Sequence, residues 1–174
     1  WSQKLKGCVM FGWQEPTTLY AGTTDDVVLA YTKKGKLLRS YKCDSSVYSC
    51  AAAADGKYVF AGDSSSSVYC FDAAGTRLWK LDTTCGSALS MQFFKDKLYI
   101  VTSSGTLACL DVSEAAIVAA RAGTVPKTKV VAQGTTKAAS VGDSLEAAAT
   151  GATGVLVECY TEGGKVRVRP KSPG

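Results

Sequence analysis

Seven cysteines, at positions 8, 43, 50, 70, 85, 109 and 159, are the residues of this 174-residue chain best suited to nucleophilic or redox chemistry or to holding a soft metal. Their spacing argues against all three. No Cys-x-x-Cys pair occurs and the total is odd, so neither a zinc site nor a tidy disulfide framework is expected, and no basic neighbour stands close to Cys70 or Cys109 to draw out a thiolate. Cys70 and Cys109 fall at matched places in two similar stretches, with Ala30 at that place in a third, which is the mark of a small core position. The thiols are therefore expected to be reduced, as in the cytoplasm or another reducing intracellular compartment. Histidine and asparagine are absent from the chain. That removes His-dependent triads, His-ligated metals and Asn-linked glycans.

The remaining candidates are polar turns, aromatic rings and one row of cations. Asp63-Ser64-Ser65-Ser66-Ser67 resembles a phosphate loop in composition, but it has no Gly-Lys and leads into no helix. It reads as a solvated turn, like Thr23-Thr24-Asp25-Asp26. Asp72 and Asp111 end apolar runs and are expected to accept backbone N–H groups in turns. Trp1 and Trp79 are expected to pack between neighbouring units, whereas Trp13 fits no repeated position and is kept as a candidate partner-binding residue. Lys165, Arg167, Arg169 and Lys171 alternate, so on a strand they share one face. Those four are candidate contacts for an acidic protein or a nucleic acid; a solvated strand face is the plainer reading, and no interleaved aromatics offer base stacking. A net charge of +5 permits such a partner without demanding one.

Positioning these residues is the work of an internal repeat. The stretches LYAGTTDDVVLAYTKKGKLLRSYKC, YVFAGDSSSSVYCFDAAGTRLWKLD and LYIVTSSGTLACLDVSEAAIVAARA can be laid over one another, with Tyr31, Phe71 and Leu110 spaced by 40 and then 39 residues. Each holds an apolar strand, a small polar turn, a second strand and a turn into a third. Residues 46–57 and 87–97 add one more strand per unit. Four short strands in about 40 residues make the blade of a β-propeller. Residues 17–122 are thus expected to be antiparallel strands with almost no helix, 58–62 beside 67–72. Trp1 and Trp79 lie 78 residues apart, two repeats, so Trp1 is expected on the last strand of a preceding, missing blade. The place between them, near Arg39 and Ser40, lacks the tryptophan.

The unit GDSSSSVYCFDAAGTRLWKLDT resembles the pyrroloquinoline-quinone type of propeller repeat, which grades into the WD type. The likeness covers roughly residues 1–122 and fades in the third unit, where SEAAIVAA replaces the Gly turn and the Trp. Quinone dehydrogenases of that fold need a full ring and a calcium site built with amide side chains; no asparagine is present here. No catalytic residue, cofactor or metal is expected.

The fold class expected is all-β: a partial propeller of about three four-stranded blades over residues 1–122, an Ala/Thr/Gly-rich irregular segment over 123–153, and a β-hairpin extension over 154–174. Within the middle segment Asp143–Ala148 reads as a short capped helical turn. Glu162-Gly163-Gly164 marks the hairpin. About 46% hydrophobic residues suffice for a sizeable core, and no apolar run reaches the roughly 18 residues that cross a bilayer. A non-catalytic protein-interaction scaffold, a fragment of a larger chain, is the expected function. The alternatives are a fragment of a quinone-dependent propeller, or binding of nucleic acid or an acidic partner through the basic hairpin. Three blades cannot close a ring, so the end faces are expected to be covered by further blades of a longer chain, a second copy or residues 123–174.

Overall fold

The computed structural model describes residues 1–53 and 56–123 and the backbone of three further strands, Thr128–Gln133, Val157–Glu162 and Lys165–Pro170. The Asp143–Ala148 helical turn and Lys171 lie outside the described residues.

Three four-stranded antiparallel sheets follow one another along the chain. The first comprises β1 (Val9–Gln14), β2 (Thr18–Thr23), β3 (Val27–Thr32) and β4 (Leu37–Lys42); the second, β5 (Val47–Ala52), β6 (Tyr58–Asp63), β7 (Ser67–Asp72) and β8 (Arg77–Asp82). The third contains β9 (Ala88–Phe94), β10 (Lys97–Thr102), β11 (Thr106–Asp111) and, after the helix α1 (Glu114–Arg121), β12 (Thr128–Gln133). Each sheet is a plain meander in sequence order, as expected of a propeller blade, and β6 lies beside β7. The hairpin expected over 154–174 is β13 (Val157–Glu162) paired antiparallel with β14 (Lys165–Pro170).

Two recurrent turns set the register. Between the second and third strands, Thr23 faces Val27, Gly62 faces Val68 and Val101 faces Leu107, and a left-handed residue closes each turn: Asp26 at φ 62°, Ser66 at φ 64°, Gly105 at φ 76°. Between the third and fourth strands of blades 1 and 2, Gly35 (φ 85°) and Gly75 (φ 91°) supply the left-handed step, donating to the carbonyls of Thr32 and Asp72.

The third blade departs from the grammar at this second turn. Ser113 caps α1 by accepting from the Ala116 N–H, Glu114 and Arg121 complement the helix dipole at its two ends, and the outer strand follows only at Thr128–Gln133. So the blade runs past residue 122, into the segment expected to be irregular, and residues 17–122 contain one eight-residue helix. Residues 1–8 form no strand. Trp1 nevertheless sits in a repeat-related place: its indole donates to the Lys33 carbonyl at 2.9 Å and packs on Tyr31 and over Gly35, just as the Arg39 guanidinium donates to the Ala74 carbonyl over Gly75. Arg39 thus fills the place where the sequence lacks a tryptophan.

Two apolar cores lie between the blades rather than inside any one of them. Between blades 1 and 2 pack Tyr20, Val28, Ala30 and Tyr41 with Val47, Cys50, Val59 and Phe71. Between blades 2 and 3 pack Phe60, Val68, Cys70 and Trp79 with Ala88, Met91, Leu98, Ile100 and Leu110, joined by Ile117 of α1. Strands β1, β5 and β9 contact one another in turn, which places the first strand of each blade where the blades converge.

Candidate protein-interaction surface

Blades 1 and 2 each bury one sheet face under the next blade. On those faces Tyr20 and Ala30, then Phe60 and Cys70, are at most 5% exposed. Register puts Tyr99 and Cys109 at the same places in blade 3, since Tyr20 pairs with Ala30, Phe60 with Cys70 and Tyr99 with Cys109. Here no further blade covers the face among the described residues. Tyr99 is 37% exposed, Val101 49%, Leu89 47% and Phe94 59%, and Cys109 is only half-buried. The sequence places Cys109 correctly in the repeat, but the core site it should occupy is an open face. Tyr99 and Val101 alternate on this open face with Gln92 and Ser90 opposite them, and Leu89 and Phe94 are exposed near the two ends of β9, so the face is an exposed sheet surface of mixed apolar and polar character, which is the property of an interaction surface.

A polar rim lines the blade junctions on one side. Ser46 Oγ donates to the Thr24 carbonyl at 3.0 Å and Ser87 Oγ to the Ser64 carbonyl at 2.8 Å, so each blade is pinned to the one before it by a hydroxyl at the same place. The serine run is therefore more than a solvated turn. Asp63 is wholly buried, its Oδ1 accepting from the Ser65 and Ser67 N–H groups at 2.9 Å and its Oδ2 from the Tyr69 hydroxyl at 2.6 Å. Burial, reinforced by that bond, pushes the Tyr69 phenol up to about 12. Nearby, Asp44 is paired with Arg77 at 2.7 Å and Lys80 at 2.9 Å, and hydrogen bonds from Lys80 and then Arg77 hold its carboxyl below the usual range. This is a structural hub, with every charge answered. Only an aspartate opening a serine run, followed by Tyr69, hinted at it in sequence.

Three thiols are held protonated by their surroundings. Cys43 and Cys50 are buried, and burial pushes both up to about 12, with Cys70 displaced in the same direction. No disulfide joins Cys8, Cys43, Cys50, Cys70 or Cys85, and no group of three potential metal ligands occurs among the described residues. Asp72 and Asp111 cap their turns as expected, accepting from the Thr76 and Ser113 N–H groups.

Of the candidate contact residues, Trp13 lies in β1, half-buried against both interblade cores with its indole bonded to Glu15 at 2.8 Å. It is more wall than free ring. Lys165, Arg167 and Arg169 alternate along β14, opposite Glu162, Tyr160 and Glu158 of β13. A shallow cleft of about 510 Å³ between blades 2 and 3, lined by Lys57, Tyr58, Phe93, Asp96 and Glu114, is spanned by a Lys57–Glu114 ion pair.

No protein-family description and no curated protein matches the sequence. Solved structures do. The β-propeller domain of Cps50 (Swd1) from Myceliophteria thermophila superposes with a TM-score of 0.59 at 12% identity over 74% of this chain, and the WD40 repeats of RRP9 with 0.58 at 15% identity over 72%. U3-55K gives 0.59 at 15% identity over 73%. The fold is that of a β-propeller, with three blades among the described residues. Of the two repeat types the sequence resembles, the RRP9 structure is of the WD type. The chain spans about two fifths of the length of the solved chains it matches, 40%, 39% and 40%. No helix among the described residues is long and apolar enough to cross a membrane.

Proposed function

We propose that this chain is a non-catalytic segment of a protein-binding propeller, a fragment of a longer chain, in which the uncovered face of blade 3 is a docking surface for a further protein segment. The observation that carries the reading is the contrast within one repeat: positions at most 5% exposed in blades 1 and 2 are 37% exposed or half-buried in blade 3. A rigid sheet that exposes Leu89, Phe94, Tyr99 and Val101 gains most by covering them with a further protein segment. Neighbours of β-propeller fold and thiols held protonated by burial support a binding role over catalysis. The test is retention of protein from extracts of the source organism by the tagged chain, compared with Val101→Lys and with a hairpin variant carrying Lys165→Glu, Arg167→Glu and Arg169→Glu. Protein retention that survives nuclease and the hairpin changes but is lost in Val101→Lys supports the proposal. Retention that vanishes with nuclease supports nucleic-acid binding through β14 instead, and retention that resists nuclease but vanishes with the hairpin changes supports an acidic protein there, the two readings that its alternating cations suggest.

A further inference from the structure

The two blade contacts obey one rule of size. Each sets a glycine near the end of the second strand against the first strand of the next blade. A Cβ added to Gly22 would stand 2.9 Å from Val47 Cγ1, and one added to Gly62 would stand 2.4 Å from Ala88 Cβ and 3.0 Å from Met91 Cε. The hydroxyl bonds from Ser46 to Thr24 and from Ser87 to Ser64 mark the same junctions. Close approach where blades converge thus depends on a missing side chain.

Blade 3 breaks the rule. The residue one before Thr102, where Gly22 precedes Thr23 and Gly62 precedes Asp63, is Val101, and it pairs with Leu107 as they pair with Val28 and Val68. On the opposite end of the stack, Val9 pairs with Thr23 as Val47 pairs with Asp63 and Ala88 with Thr102. A second copy stacked in the same geometry would oppose Val101 with Val9, valine on valine where the chain elsewhere sets glycine against valine or alanine. A second obstacle stands beside it. Trp1 holds the Lys33–Gly35 turn in the way that Arg39 of β4 holds Ala74–Gly75, so residues ahead of blade 1 stand where the outer strand β12 of a copy would have to run.

We infer that the open face of blade 3 is shaped for a non-identical blade, the next of the same propeller, which presents glycine or alanine opposite Val101 and a hydroxyl toward the Ser103 carbonyl, and that it rejects a second copy of this chain. The inference rests on the propeller-segment reading and sharpens it: the two ends of this three-blade stack are not complementary to each other.

Sedimentation velocity across a wide micromolar range tests this, with the full chain as its own probe. The wild-type chain stays monomeric. A wild-type oligomer that Tyr99→Lys disperses would overturn the inference, because a copy would then fit the face. Val9→Gly combined with removal of residues 1–6 lifts both obstacles and associates at least about tenfold more tightly than wild type, a gain that Tyr99→Lys abolishes. A variant that keeps its β-sheet circular dichroism and shows no gain overturns it equally. If that variant fails to fold, Val101→Gly in the full chain relieves the valine pair alone; association tightens, and an unchanged sedimentation profile counts against the size rule. None of these outcomes decides whether the chain binds other protein, which the retention experiment addresses separately.

Discussion

Trp79 is buried at 8% exposure, and its indole N–H meets no acceptor among the described residues. The repeat explains the orphan: Trp1 and Arg39 donate to carbonyls of the turn between the third and fourth strands of the following blade, and in blade 3 α1 replaces that turn. Trp79→Phe is therefore expected to cost under about 1 kcal/mol, since it loses no bond, while Trp79→Ala costs about 3 kcal/mol or more from the lost packing. Urea titration of the two variants checks the contrast. Tyr69→Phe leaves the buried Asp63 carboxylate short of a donor and is expected to cost about 1.5–3 kcal/mol by the same measurement. The groups raised by burial also fix a pH response. Cys43 and Cys50, at about 12 against 9.0 when unfolded, and Tyr69, at about 12 against 10.0, keep their protons longer in the folded chain. Their contribution is fully present below about pH 9 and is lost as pH rises toward 12, so urea midpoints should fall across that window. At this scale the sequence revealed the small repeated site of Ala30 and Cys70 and the turn roles of Asp72 and Asp111. It did not reveal Asp63 as a hub, because a Ser-rich turn looks the same whether it faces water or the neighbouring blade.

Among the elements, strands and turns were legible because alternation and left-handed turn residues act locally: β2, β3, β6, β7, β10 and β11 fall where the repeat puts them. The third blade's outer strand was not. Residues 113–121 carry helix signals of their own, a Ser113 cap with Glu114 in the first turn and Arg121 in the last, and the ladder resumes only at Thr128. What the repeat could not show was how sheets approach one another, which rests on Gly22 and Gly62. Gly62→Ala drives a Cβ to within 2.4 Å of the Ala88 Cβ and is expected to cost about 2–3 kcal/mol, the scale of overpacking in a rigid core. Thermal unfolding followed by circular dichroism reads this directly, and a variant as stable as the parent would show that blades 2 and 3 can part without loss.

For the whole molecule, the consequence of three stacked blades is an uncovered sheet. Leu89, Phe94, Tyr99 and Val101 lie on the side of blade 3 that turns away from blade 2, so a charge placed there meets water rather than a core. Tyr99→Lys should raise solubility without lowering the melting temperature, whereas a charge at Phe60, the same place one blade earlier, should unfold the chain. The central claim is that this face is where a further, non-identical protein segment packs. A photo-reactive phenylalanine analogue in place of Tyr99, introduced into the protein in its own cells and irradiated there, tests it most directly, with mass spectrometry reading the residues captured. The account predicts cross-links to a β-strand segment of a different sequence; cross-links to nucleic acid or to this same sequence, or none at all, would contradict it.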